Sequence, residues 1–295
     1  MEWTIHNGVM SGMGLDGQSW YYRNPLRREA GYRAAGHNDM SQRESPGAAR
    51  ICCPSNMIRT IAELHTYFYG ISPGGVWLNL YGASEFAHQW EPGDEIAIEQ
   101  KTDYPWDGRI EIEIRKAPAR PIFIQARIPS WAKGARIEIN GQPAEAAAAP
   151  GAYARIERAW KPGDRIALDF PMQPRLLQGH PKAEHIRNQA AVARGPILYC
   201  LEAPDLPRGR ELHNVYLPLN PQFQPTAAAD MPFGIRALEG KALYRAEAAW
   251  ADDLYRPIEE APFEPMPLRL IPYFAWANRG EQAMSVWLPL AWREA

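Results

Sequence analysis

The sequence predicts a mainly β protein in which two β-sandwich domains follow a short mixed α/β segment. One observation is composition: 28 prolines, 23 glycines and 11 tryptophans suit many short strands joined by tight turns better than long helices. The other is periodicity, because apolar residues alternate with polar ones in several separate stretches. The length of 295 residues agrees with more than one hydrophobic core, since single cores stop growing at about 250 to 300 residues.

The alternation places the strands individually. In 108–116 three isoleucines alternate with charged residues, which is the period-2 pattern of a strand with one wet face. The stretch 122–128 alternates in the same way, and Asn140-Gly141 predicts a two-residue hairpin turn after a third strand. Farther on, 165–170 alternates, and 191–201 is an apolar run broken only by Arg-Gly-Pro. These stretches predict most of the two β domains.

One helix is predicted, just after a pair of adjacent cysteines. Ile58, Ile61, Leu64 and Phe68 fall at helical spacing, so an amphipathic helix is expected from Pro54 to about Tyr69. Proline suits a first helical turn because its missing N–H would have no intrahelical acceptor there. The change from helix to strands predicts three regions: a mixed segment at 1–70, a first β domain at 71–175 and a second at 176–295.

Charge and hydropathy exclude several classes of partner. The formal net charge is -2, and no basic run marks a surface for nucleic acid or anionic lipid. No stretch of about 18 apolar residues predicts a membrane span, and no leader pattern opens the sequence. Three cysteines, an odd number, do not form a disulfide framework, so a reducing cytoplasm is the expected location.

The adjacent Cys52 and Cys53 admit three interpretations. A disulfide between neighbours would be strained, because a trans peptide sets their Cα atoms about 3.8 Å apart, below the usual spacing. Buried inert thiols are a second interpretation. A third is a reactive thiolate pair, since the N-terminus of a helix favours an anion and lowers a thiol pKa. Cys200, inside an apolar strand, is interpreted as a core thiol.

The run Cys52-Cys53-Pro54-Ser55-Asn56, followed by Arg59-Thr60, resembles the CCPxN motif of glycoside hydrolase family 127, the β-L-arabinofuranosidase family. Further stretches resemble that family in the same order along the chain: 7–26, 102–114, 128–132, 139–141, 160–172, 192–202 and 271–288. The ordered matches cover nearly the whole sequence.

The resemblance implies a large (α/α) barrel with the active site, followed by β-sandwich domains, and a retaining hydrolysis of arabinofuranosides. It implies that Cys52 is the nucleophile, that Cys52 and Cys53 bind zinc, and that an upstream Glu-x-Cys motif completes the metal site. The general acid/base Glu also lies upstream in the family. The mixed segment at 1–70 is therefore expected to be the C-terminal remnant of that barrel.

An incomplete site implies little or no activity for this chain alone. Glu29, Asp39 and Glu44 lie before the cysteines but are interpreted as solvated loop charges, and His37 and Asn38 as ordinary loop residues. Without the rest of a barrel, Ile58, Ile61 and Leu64 are expected to form an exposed apolar patch. Self-association, or assembly with a separately encoded barrel, would cover it.

Two other functions compete with this one. The chain could be a non-catalytic β-sandwich module for carbohydrate binding or assembly, or the cysteine pair could do thiol redox work. The tryptophans beside the turns of the β domains, including Trp131, Trp160 and Trp276, are interpreted as packing residues. Trp20, Tyr21 and Tyr22 are also expected to pack, with sugar stacking as the alternative.

Overall fold

The computed structural model describes residues 1–31, 43, 52–246, 254, 255, 257, 261–280 and 282–292. The chain divides into two compact units. Unit 1 comprises Met1, Trp3–Pro54 and Pro174–Ala295, and unit 2 comprises Glu2 and Ser55–Gln173. Most of the regular structure is β, as predicted. Within these described ranges no helix is both long and apolar enough to cross a membrane.

The chain up to residue 169 contains helices α1 and α2 and strands β1 to β11. Helix α1 is Glu2–Thr4 and helix α2 is Cys52–Glu63. The strands up to residue 169 are β1 (Arg27–Arg28), β2 (Tyr69–Ser72), β3 (Gly75–Leu78), β4 (Ser84–Glu91), β5 (Asp94–Thr102), β6 (Arg109–Lys116), β7 (Ile122–Arg127), β8 (Arg136–Ile139), β9 (Gln142–Pro143), β10 (Tyr153–Arg158) and β11 (Arg165–Asp169).

Unit 2 contains two sheets that bury their inward faces in one core. The strand order is β4-β5-β6-β11-β8-β9 in the larger sheet and β10-β7-β3-β2 in the smaller, where β3 runs parallel to β7. Ile98 and Ile112 from the larger sheet and Ile124 from the smaller are all at most 1% exposed and belong to the same cluster. Their alternation with polar residues is therefore what places each strand between core and solvent.

The turns of unit 2 match the sequence predictions. Asn140 and Gly141 both have positive φ, 52° and 79°, and join β8 to β9 in a tight hairpin. The turns at 90–94 and 160–164 share the sequence pattern Trp-x-Pro-Gly-Asp. Each places its glycine at positive φ, 84° at Gly93 and 91° at Gly163. A strand follows each turn, so both are the same local solution for entering a strand.

The remaining strands belong to unit 1. They are β12 (Arg175–Gln178), β13 (Gln189–Arg194), β14 (Ile197–Glu202), β15 (Val215–Pro218), β16 (Gln224–Ala227), β17 (Arg236–Arg245), β18 (Phe263–Pro272), β19 (Met284–Ser285) and β20 (Leu288–Ala291). They form one sheet in the order β1-β19-β14-β18-β17-β15-β20-β13-β12, with β16 on β17.

The start of the chain is built into this sheet of unit 1. Strand β1 pairs with β19, so that Arg27 lies opposite Ser285. Asn7 is buried and bonds to the end of the β13–β14 turn and the start of β14: its Nδ2 donates to the Pro196 carbonyl at 2.8 Å, and its Oδ1 accepts from Leu198 N at 2.7 Å. One amide side chain thus satisfies a buried backbone carbonyl and a buried backbone N–H.

Helix α2 differs from its prediction at both ends. It begins at Cys52, two residues before Pro54, and ends at Glu63, after which Leu64–Tyr67 forms a 3₁₀ turn. The expected exposure of its apolar face is confirmed for Ile58, 56% exposed, and Ile61, 38% exposed. Leu64 is half-buried.

Candidate active site

The candidate site is the first turn of α2. Cys52 opens the helix and is exposed, and Cys53 is half-buried. Their Sγ atoms lie 3.8 Å apart, too far for an S–S bond, so the pair does not form the strained disulfide considered above. Pro54 follows at the position where a missing N–H costs no helical hydrogen bond. The interpretation that both thiols are buried and inert is wrong for Cys52.

The helix start does not give both cysteines a low pKa. The pKa of the Cys53 thiol is raised, mainly by burial, and further by the hydrogen bond with Cys52 and by the negative charge that Cys52 would carry. Two adjacent thiols cannot both ionise easily, since the first thiolate disfavours the second. For Cys53, burial and the neighbouring Cys52 thus act against a lowering of the thiol pKa by the helix N-terminus.

The spacing of the two sulfur atoms suits a shared zinc ion. Zinc–sulfur bonds of about 2.3 Å at a tetrahedral angle set two sulfur atoms about 3.8 Å apart, and the observed Sγ–Sγ distance is 3.8 Å. A closed site needs about four ligands. No cluster of three or more His, Cys, Asp or Glu side chains suited to a metal occurs within the described ranges. Among the described residues, the pair could therefore supply two of the four ligands that such a site needs.

The next turn of α2 carries the rest of the motif. The Asn56 side-chain oxygen accepts a hydrogen bond from Arg59 Nη1 at 3.2 Å, and the Thr60 hydroxyl donates to the Asn56 carbonyl at 2.9 Å. Asn56, Arg59 and Thr60 thus bond to one another along one side of the helix, at spacings of three and four residues.

A second cluster, in unit 1, was not found from the sequence. The rings of Tyr21 and Trp276 are stacked, and the Arg43 guanidinium lies 4.7 Å from the Tyr21 centroid. Arg43 Nη2 donates to the Trp276 carbonyl at 2.8 Å. Trp20, Tyr21 and Trp276 are all at most 3% exposed, so the interpretation of these rings as packing residues is confirmed. The sequence around Arg43 has no periodic pattern, and no sequence signal pointed to this residue.

The remaining candidate residues from the sequence differ in where the structure places them. Glu29 is exposed, as expected for a loop charge. His37, Asn38, Asp39 and Glu44 lie outside the described residues. Cys200 is 1% exposed, and burial raises the pKa of its thiol well above the ordinary value, so its interpretation as a core thiol is confirmed.

Three family models match the chain in order. They are the β-L-arabinofuranosidase GH127 catalytic domain at residues 1–66, the GH127 middle domain at 75–172 and the glycoside hydrolase family 127 C-terminal domain at 174–289. The chain therefore belongs to glycoside hydrolase family 127. The cysteine pair lies inside the part that matches the catalytic domain.

Individual relatives agree with this assignment. A non-reducing end β-L-arabinofuranosidase of Bifidobacterium longum subsp. longum is 31% identical over 294 residues, which cover 95% of this chain and 43% of the relative. A solved structure described as a glycoside hydrolase is similar with a TM-score of 0.93 and 39% identity, over 98% of this chain and 48% of that one.

A GH127 β-L-arabinofuranosidase from Geobacillus stearothermophilus T6 is similar with a TM-score of 0.88 and 35% identity, over 99% of this chain and 46% of that structure. The chain thus spans less than half the length of each of these three relatives.

Proposed function

We propose that this protein acts on terminal β-L-arabinofuranosides as a retaining glycoside hydrolase with Cys52 as its nucleophile. The observation that carries the proposal is an exposed thiol in the first turn of α2, inside the segment that matches the family's catalytic domain. The relative from Bifidobacterium longum is named a non-reducing end β-L-arabinofuranosidase, which supports the choice of sugar.

In the proposed reaction the Cys52 thiolate attacks the anomeric carbon of the sugar. The new S–C bond forms as the glycosidic C–O bond breaks, and the leaving oxygen takes a proton from a general acid. Water then displaces the sulfur atom, returns a proton to the base and releases the sugar with its original configuration. By family resemblance the general acid/base is a Glu upstream of the matched segment.

Cys52 and Cys53 would together hold a zinc ion, as the spacing of their sulfur atoms supports. When bound, zinc would stabilise the thiolate form of its cysteine ligands. Cys53, whose pKa is raised by burial and by Cys52, needs such a partner more than an isolated thiol does.

We also propose that this chain by itself binds zinc weakly and hydrolyses arabinofuranosides slowly or not at all, because the pair supplies two of about four ligands. We propose that unit 2 is one β-sandwich, which the shared core of its two sheets supports, whereas the strands of unit 1 form a single ten-stranded sheet. This chemistry requires thiols that are not oxidised to disulfides, and none of the three cysteines forms a disulfide, in keeping with a cytoplasmic location.

The apolar residues of α2 and of the turn after it form an exposed face. Ile58, Ile61 and Tyr67 are 56%, 38% and 40% exposed. We propose that this face is covered by self-association. Light scattering coupled to size exclusion should show a dimer or larger species that the Ile58→Lys variant weakens; a clean monomer that stays soluble at high concentration would contradict the proposal.

The role of Cys52 can be tested without turnover. An arabinofuranose-configured epoxide should alkylate Cys52, and mass spectrometry of the peptide should show the adduct on the first cysteine of the pair. Cys52→Ser should abolish labelling and Cys53→Ser should leave it possible, while a galactose-configured epoxide serves as the matched control reagent. Equal labelling by both reagents, or labelling of Cys53 alone, would overturn the proposal.

Activity is tested separately on the same protein. An aryl β-L-arabinofuranoside should be hydrolysed slowly or not at all, and less than one zinc per chain should survive gel filtration. Fast hydrolysis abolished by Cys52→Ala would support the nucleophile and refute the incomplete site.

A further inference from the structure

The outward face of the smaller sheet in unit 2 carries an aromatic surface that the cysteine chemistry does not use. Its inward residues, such as Val76 and Ile124, are fully buried in the core. Register places Gly70 opposite Trp77, Trp77 beside Gln125, and Arg127 opposite Tyr153. Because side chains alternate along a strand, these residues share the other face. We call Trp77, Tyr153, Gln125 and Asn79 the β3 platform.

The two rings of the β3 platform are held rigidly. The rings of Trp77 and Tyr153 meet edge to face with centroids 5.1 Å apart, and Phe123 meets Trp77 edge to face at 5.9 Å. The Tyr153 hydroxyl donates to Asn79 Oδ1 at 2.7 Å, which fixes the tyrosine although it is 38% exposed. Fixed rings lose little side-chain entropy when a ligand stacks on them.

Gly70, opposite Trp77 in the strand register, places no side chain beside the indole, which is half-buried. Gly70 has no Cβ, and a Cβ there would lie 3.3 Å from Trp77 Cβ and 3.4 Å from Asn79 Nδ2. Any larger residue at 70 would therefore extend along the indole and the amide. In a strand, glycine often marks a site where another molecule approaches closely.

The β3 platform is polar but carries no unpaired charge. Arg155, which lies opposite Gln125 in the strand register, is 4.0 Å over the Phe123 ring and pairs with Glu157 at 2.8 Å. Arg127 pairs with Glu2 at 2.6 Å. What remains are neutral amides and rings: the Gln125 side chain makes no hydrogen bond within the described part of the chain. A charge-neutral surface complements a neutral polar ligand and offers no attraction to nucleic acid or a charged protein.

We propose that the β3 platform binds a neutral glycan chain. Trp77 and Tyr153 stack on the C–H faces of the sugar rings, and the amides of Asn79 and Gln125 bond the hydroxyl groups. Apolar rings with a few placed polar groups are the usual composition of a small-ligand site. The inference does not depend on the role of Cys52, because every residue of the β3 platform lies on strands of unit 2 or directly after one.

Affinity electrophoresis and titration calorimetry of the full chain test this inference, with soluble arabinan, xylohexaose and cellohexaose as probes. At least one probe should bind, and Trp77→Ala should weaken binding at least about tenfold, as loss of an aromatic anchor does. Gly70→Thr should weaken it similarly, because the new side chain covers the indole while every ring remains.

Trp292→Ala is the matched control, since Trp292 is also accessible, at 62% exposed, and lies in unit 1. It should bind like the wild type, and so should Cys52→Ser, which separates this inference from the proposed reaction. Circular dichroism melting curves check that Trp77→Ala and Gly70→Thr remain folded. The inference would be overturned if none of the three probes bound to the wild type. It would also be overturned if folded Trp77→Ala and Gly70→Thr bound the probes as tightly as the wild type does.

Discussion

The rings of Tyr21 and Trp276 stack with centroids 4.5 Å apart and planes 15° apart, although 254 residues separate them in sequence. Tyr21 belongs to the part that matches the catalytic domain, and Trp276 to the part that matches the C-terminal domain. The Trp276 indole N–H donates to the Ser11 carbonyl at 3.2 Å, which adds a second tie. The early segment is therefore held on the sheet of unit 1 by aromatic packing as well as by strand pairing.

Replacing Trp276 with alanine should strongly destabilise unit 1. The side chain is 1% exposed, so the variant loses the stack with Tyr21 and leaves a cavity. We expect the free energy of unfolding to fall by about 3 to 5 kcal/mol, measured by urea denaturation. The exposed Trp292→Ala should change it by less than about 0.5 kcal/mol. Equal losses of unfolding free energy in the two variants would contradict the stabilising role of the buried Trp276 side chain.

Glu202 should make stability depend on pH. It is 1% exposed, and burial raises the pKa of its carboxyl despite hydrogen bonds from Ala277 N and Arg279. The folded state thus holds the proton more tightly than the unfolded state, so the contribution of this group to stability is greatest below its ordinary pKa of 4.5 and falls as pH rises through the higher folded pKa.

The Glu202→Gln variant tests this pH dependence. Gln cannot titrate, so the free energy of unfolding of the wild type relative to the variant should decrease as pH rises from 4.5. Chemical denaturation at several pH values measures it. Glu157→Gln, at an exposed ion pair, is the control and should shift stability by less than about 1 kcal/mol at all pH values. A difference that grows with pH would contradict the raised pKa.

Local patterns predicted much of this fold and less of the site. Alternation located β6 and the hairpin turn at 140–141, because those signals depend on neighbouring residues alone. It could not show that β7 joins a different sheet from β6, since pairing depends on distant strands. The cysteine pair was found because adjacency is visible in sequence, whereas the cluster of Arg43 and Trp276 exists only after folding.

The three cysteines should differ in reactivity. Cys52 is exposed, whereas Cys200 is 1% exposed and its pKa is raised by burial. Under native conditions a thiol reagent should modify Cys52 at least about ten times faster than Cys200, because a buried thiol ionises poorly and is inaccessible. Mass spectrometry of peptides over time measures both rates, and Cys52→Ser should remove the fast phase. Rapid native labelling of Cys200 would show that the core of unit 1 opens readily.

Gly108 should tolerate no side chain. A Cβ built there lies 1.9 Å from the Phe170 carbonyl oxygen and 2.9 Å from its carbon, so backbone rather than a flexible side chain blocks it. The Gly108 carbonyl also accepts a hydrogen bond from Phe170 N at 3.0 Å, which ties the two chain segments where β6 begins and β11 ends. Gly108→Ala must separate them.

We expect Gly108→Ala to lower the free energy of unfolding by about 1 to 3 kcal/mol, the usual range for overpacking. Gly8→Ala is the matched control, because Gly8 lies in the helical turn Ile5–Val9 and its Cβ would meet only Thr4 Cγ2 at an ordinary 3.6 Å. That control should be neutral or stabilising by up to about 1 kcal/mol, since alanine loses less backbone entropy than glycine in a helical turn. Denaturant titrations of both variants measure the free energy of unfolding. A Gly108→Ala protein as stable as the control would show that the β6 and β11 backbones can move apart without loss of stability.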